Sequence, residues 1–99
     1  MLQRKKMICF REKATGERFI LSVNHFKAKS GSGGGLDSNQ GDGQGSFNAT
    51  RIEEAQSVID QYKRYASALK EKDILIVGDL NAYAKEDPIT CLASAGMID

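Results

Sequence analysis

The stretch that decides the fold is Asp73-Ile74-Leu75-Ile76-Val77-Gly78-Asp79-Leu80-Asn81-Ala82-Tyr83. Its apolar residues run without polar alternation into Gly-Asp-Leu-Asn, and such a run reads as a strand buried on both faces. A buried strand that ends on a carboxylate and an amide two residues apart points to a use for both. A two-residue period places Asp79 and Asn81 on one face at the strand's C-terminal edge. Gly78 leaves room there for a close backbone or a ligand. An oxygen ligand beside an amide donor suits a metal-bound phosphate. The plainer role for Asp79 is to cap the turn that follows the strand.

A second buried strand reads from Phe19-Ile20-Leu21-Ser22-Val23-Asn24-His25-Phe26-Lys27-Ala28-Lys29, and it also turns polar at its C-terminal end. If it stays extended, His25, Lys27 and Lys29 share one face. An imidazole flanked by two ammonium groups suits an anionic substrate, as donor or general acid. The alternative is a structural histidine satisfied by backbone groups.

Between these strands, residues 49–71 carry a helical pattern. Ile52, Ala55, Ile59, Tyr62, Ala66 and Leu69 recur at three- and four-residue steps, and Val58 widens the stripe. Glu53, Glu54, Asp60, Lys63, Arg64, Lys70 and Glu71 fall on the other face. Strand, helix, strand makes a βαβ unit with parallel strands and a right-handed crossover. His25 then converges with Asp79 and Asn81 on the edge where open α/β sheets build ligand sites.

In this order, Val23-Asn24-His25-Phe26-Lys27, Asn48-Ala49-Thr50-Arg51 and Gly78-Asp79-Leu80-Asn81-Ala82-Tyr83 resemble the endonuclease/exonuclease/phosphatase superfamily, of which deoxyribonuclease I is the familiar member. Asp42-Gly43-Gln44-Gly45, Tyr83 and Glu86-Asp87-Pro88-Ile89 resemble its bacterial extracellular nuclease branch. The resemblance covers nearly the whole chain. It implies a hydrolase of phosphodiester bonds that depends on a divalent metal, magnesium with manganese or calcium as substitutes. The substrate implied is nucleic acid, DNA before RNA, and the setting is extracellular or periplasmic. Asp79 would stand by the metal and orient or deprotonate the attacking water. Asn81 would hold a phosphate oxygen, and His25 would donate a proton or stabilise charge. Asn24, Lys27, Arg51 and Tyr83 would contact substrate. No membrane and no obligate protein partner is implied.

Two family elements have no counterpart among the 99 residues: a strand ending in a metal-binding glutamate, and a Ser-Asp-His-type segment. The expectation is an α/β chain of the α+β sandwich family: a partial deoxyribonuclease I-like fold spanning residues 1–99, an internal piece of a domain, inactive by itself. It consists of a β-hairpin, a long Gly-rich loop, a helix, a buried strand and a short helix. With part of the second sheet missing, an apolar sheet face should stay open. The alternatives are a non-catalytic remnant or binding module of the same fold, or a lipid or sugar phosphoesterase.

Composition is that of an ordinary soluble domain, 40% hydrophobic with a mean hydropathy of −0.41. A net charge of +1 gives no global basic field to hold DNA. Arg4-Lys5-Lys6 reads as a solvated strand start, and Met1-Leu2-Gln3 with these cations is no signal peptide. Cys9 and Cys91 read as buried free thiols. Met7 to Arg11 is the first strand, and Lys13-Ala14-Thr15-Gly16-Glu17-Arg18 the turn of a hairpin over residues 7–25.

Residues 30–46 hold seven glycines among polar side chains and read as a flexible connector; the functional alternative orders over substrate or binds calcium through Asp37 and Asp42. Asn48, or Thr50 with Glu53, caps the long helix. Arg51 in its first turn opposes the helix dipole and needs a carboxylate or a phosphate as partner. Asp87-Pro88 opens a short helix that Gly96 ends, and its Ile89, Leu92 and Ala93 face the sheet. Tyr83 is either a substrate-side wall or a packed aromatic.

Overall fold

The computed structural model describes residues 4–98. Met1-Leu2-Gln3, the Arg4 side chain and Asp99 lie outside the described residues. Three strands form one mixed sheet in the order β1 (Arg4–Arg11), β2 (Arg18–His25), β3 (Ile74–Asp79). β1 and β2 make an antiparallel hairpin, with Phe10 opposite Phe19. Gly16, at φ +77°, takes the left-handed position of its turn, and Gly16 N donates to Glu12 O at 2.8 Å. β2 and β3 are parallel, and Ile20 pairs with Ile74 at one end of the ladder as His25 pairs with Asp79 at the other. The connection is helix α1 (Asn48–Leu69), and helix α2 (Asp87–Ser94) follows β3. The chain is thus α+β, a mixed sheet with two helices. Among the described residues no helix is long and apolar enough to cross a membrane.

The core lies on one face of the sheet, where Met7, Ile20 and Phe26 meet Ala55, Val58 and Ile59 of α1 and Leu92 of α2. Strand alternation puts the next residues on the opposite face, and that face is open. Ile8, Phe10, Phe19, Val23, Leu75 and Val77 are all exposed there, Leu75 at 54%. β3 is therefore not buried on both faces: α1 covers the Ile74 and Ile76 side, and nothing among the described residues covers the other. The expected open apolar face is present among the described residues. Phe10 and Phe19 stack on it, with ring centroids 5.5 Å apart.

Gly78 has the tightest backbone position in the chain. Its φ is +120°, and a Cβ there would stand 1.9 Å from Asn24 O. The space that glycine leaves is filled by the neighbouring strand, not by a ligand.

Helix α1 departs from its expected stripe at the N-terminal end. Its buried residues include Asn48, Arg51 and Glu54, so Glu54 does not lie on a solvated face. The cap also differs. Phe47 is the N-cap residue and no side chain of the helix itself caps it. Asp37, from a short 3-10 turn (Gly35–Asp37), accepts Thr50 N at 2.8 Å and Thr50 Oγ1 at 2.6 Å. Residues 30–46, read as a connector, thus supply the carboxylate that satisfies the helix start. Lys5 is not a solvated strand start: its ammonium donates to Ser57 Oγ on α1, and burial, with Arg64 nearby, lowers its pKa against the pull of Asp60. Pro88 sits in the first turn of α2 and Gly96 lies just past its end, as expected, but the Asp87 carboxylate accepts Asn48 Nδ2 at 2.9 Å instead of capping its own helix. Cys9 and Cys91 are free thiols, half-buried.

Candidate functional site

The site is built where β2 and β3 end together. Because the strands are parallel and in register, His25 and Asp79 are direct Cα partners on the last rung, and Phe26 N donates to Asp79 O at 2.9 Å. Both side chains are exposed and stand on the open face of the sheet. Beside them, between the end of β3 and α2, lies an open cleft of about 610 Å³, with Asp79, Asn81, Lys29 and Tyr83 as its polar lining and Ile76, Leu92 and Met97 among its apolar walls.

Asn81 joins Asp79 by a route that strand periodicity does not give. The strand ends at Asp79, and Asn81 turns into the left-handed region at φ +49°. Asn81 N donates to Asp79 Oδ1 at 3.0 Å, which makes Asp79 the acceptor of an Asx turn. Asn81 Nδ2 donates to Phe26 O at 2.9 Å and so ties the two strand ends. Asp79 carries both a turn-capping bond and, at Oδ2, an oxygen with no hydrogen bond among the described residues.

The residues expected around this centre divide sharply. β2 ends at His25, and two residues on the backbone bonds to α1 instead of a strand: Lys27 N donates to Glu54 Oε1 at 2.8 Å and Lys27 O accepts from Arg51 Nη1 at 3.1 Å. His25, Lys27 and Lys29 therefore do not share a face. The Lys27 ammonium lies 4.5 Å over the Phe47 ring, away from the cleft. Asn24 is not a substrate contact: it is buried at 3% exposure, and its Nδ2 donates to Ser22 Oγ at 2.8 Å. Arg51 is not one either. It is fully buried, and its partner is neither a phosphate nor a simple carboxylate pair: Nη1 donates to Lys27 O and Ser46 O, and Nη2 to Gln44 O. Burial lowers its pKa, and the charges of Glu86, Glu54 and Asp37 oppose that. Arg51 is the pin that holds the Gly-rich loop to the ends of α1 and β2.

Two carboxylates to which the sequence assigned no role in the site organise the region. Glu54 accepts Lys27 N at 2.8 Å, and burial raises its carboxyl against that bond and the nearby charges of Arg51, His25 and Lys27. Glu86 is buried and accepts Lys29 Nζ at 2.6 Å and Tyr83 N at 3.0 Å. Burial acts to raise its carboxyl, but these two bonds and the charges of Lys29 and Arg51 hold it below the ordinary range. In the sequence Glu86 stands only in the Glu86-Asp87-Pro88-Ile89 motif, with no role attached to it. Tyr83 is not a packed aromatic: it is 80% exposed, and Lys29 Nζ lies 4.8 Å from its ring centroid.

Among the described residues no three His, Cys, Asp or Glu side chains gather as a metal cluster. Asp79 meets the minimum for magnesium, one exposed carboxylate oxygen in a cleft open to water and substrate. Asp37 and Asp42 form no second centre, since Asp37 is spent on Thr50 and Asp42 Oδ1 accepts Gln44 N at 3.0 Å. No family model, curated protein or solved structure matches the chain.

Proposed function

We propose that this chain carries part of the active site of a divalent-metal-dependent phosphodiesterase, a secreted endonuclease of the deoxyribonuclease I-like type that hydrolyses DNA. The observation that supports it best is the shared rung of His25 and Asp79, an imidazole and a carboxylate side by side at the C-terminal edge of a parallel strand pair. Asp79 would hold magnesium, which when bound supplies charge for the phosphate oxygens. The residues of the chain do the rest. The free oxygen of Asp79 orients the attacking water. His25 stabilises charge or donates a proton at the phosphate. Lys29, fixed by Glu86, places a cation on the cleft wall for the phosphate backbone. Such chemistry rests on positioning and charge more than on covalent help. Asn81 sets the turn that presents Asp79, and its amide is already committed to Phe26 O.

The test uses the full coding sequence that contains this segment, with magnesium and with circular single-stranded DNA beside supercoiled plasmid. Wild type should cut one or both, and Asp79→Ala should lower the rate by about 100-fold or more while melting stays unchanged, the usual cost of one lost transition-state contact. Normal cutting by Asp79→Ala, or no cutting by wild type, would contradict the proposal. The 99-residue chain alone should not nick.

A further inference from the structure

We infer that Tyr83 is a stacking platform for one nucleobase next to the bound phosphodiester, so that the site takes nucleic acid as an unpaired strand. This rests on the phosphodiester reading above and names the substrate form that the same site would accept.

The ring is built for contact and not for packing. At 80% exposure it buries little, so it contributes almost nothing to the core, yet its position is fixed from two sides. Tyr83 N is held by Glu86 Oε1 at 3.0 Å, and the same oxygen holds the Lys29 ammonium at 2.6 Å. Lys29 in turn lies 4.8 Å from the ring centroid. A buried carboxylate thus brackets a cation against the aromatic ring, which restrains the ring at the cleft that Asp79 and Asn81 line. A fixed aromatic surface beside a phosphate-binding cation is the pairing that proteins use for single strands, where the cation follows the backbone and the ring takes a base. Every base has a π face, so such a platform holds without choosing sequence. In a duplex the bases are already stacked on each other, and the ring gains nothing unless one is unstacked.

The measurement is fluorescence anisotropy of end-labelled thymidine octamer, of an abasic octamer of the same length, and of a 12-base-pair duplex, each with the 99-residue chain in chelator so that no strand is cut. Tyr83→Ala should weaken octamer binding about tenfold and leave abasic and duplex binding unchanged, and Tyr83→Phe should bind the octamer like wild type. If Tyr83→Ala binds the octamer like wild type, or loses the abasic and the base-bearing strands equally, the platform is wrong and the phosphodiester reading stands. If wild type binds none of the three, the phosphodiester reading itself fails, and the platform with it.

Discussion

His25 and Asp79 face each other across the last rung of the β2–β3 ladder. That relationship depends on the neighbouring rung, where Gly78 sits against the backbone of Asn24. Gly78→Ala would drive a methyl group to 1.9 Å from Asn24 O at a φ of +120°. Backbone strain and overpacking together should cost about 3 kcal/mol or more. Urea melts should show it, and a variant that melts like wild type would mean the strand ends are spaced differently.

Asp79 and Asn81 should separate in stability. Asn81→Ala removes the bond that ties β3 to Phe26 and leaves a β-carbon in the left-handed region, a loss of about 1–3 kcal/mol. Asp79→Ala removes only an exposed turn bond and should melt within about 1 kcal/mol of wild type. Equal melting of the two variants would refute the structural role given to the Asn81 amide.

Acid should release the Gly-rich loop. The Thr50 hydroxyl and amide hold the Asp37 carboxyl below its ordinary value of 3.8, with Arg51 adding to this and desolvation opposing it. The folded pKa lies below the unfolded one, so the stabilisation is complete above the unfolded value and disappears as pH falls through the folded one. The protection factor of Thr50 N against hydrogen exchange should be high at about pH 5 and above and fall below the carboxylate range. In Asp37→Ala it should be low throughout. Unchanged protection in that variant would show that the loop does not cap α1.

The open face of the sheet should make the chain self-associate. Ile8, Phe10, Phe19, Val23, Leu75 and Val77 form a continuous apolar surface across three strands. Light scattering should give a mass that climbs above 10.8 kDa with concentration, and Leu75→Glu with Val77→Glu should hold it there. A wild-type chain that stays at 10.8 kDa at high concentration contradicts this.

The elements were legible because periodicity and turn chemistry are local signals. The hairpin with Gly16, the parallel placement of β3, and Pro88 and Gly96 around α2 all follow from them. The meeting of His25 and Asp79 followed from topology. The positions of Asn24, Lys27 and Arg51 did not, because each depends on where β2 stops being extended. Past His25 the backbone at Lys27 bonds to Glu54 and Arg51 of α1. Helix periodicity also failed at Arg51 and Glu54, where buried charges satisfy loop backbone groups instead of facing water. The roles of Asp37 and Glu86 were not legible because each serves a partner brought close only by the fold.

Paramagnetic broadening by manganese shows whether Asp79 holds a divalent metal beside His25. The 99-residue chain would be titrated with Mn2+ in the presence of a short thymidine oligonucleotide and followed by amide NMR. Weak binding is expected, with broadening centred on Asp79, Leu80, Asn81 and His25 and abolished in Asp79→Ala. Broadening centred elsewhere, such as on Asp37 and Asp42, or unchanged in Asp79→Ala, would contradict it.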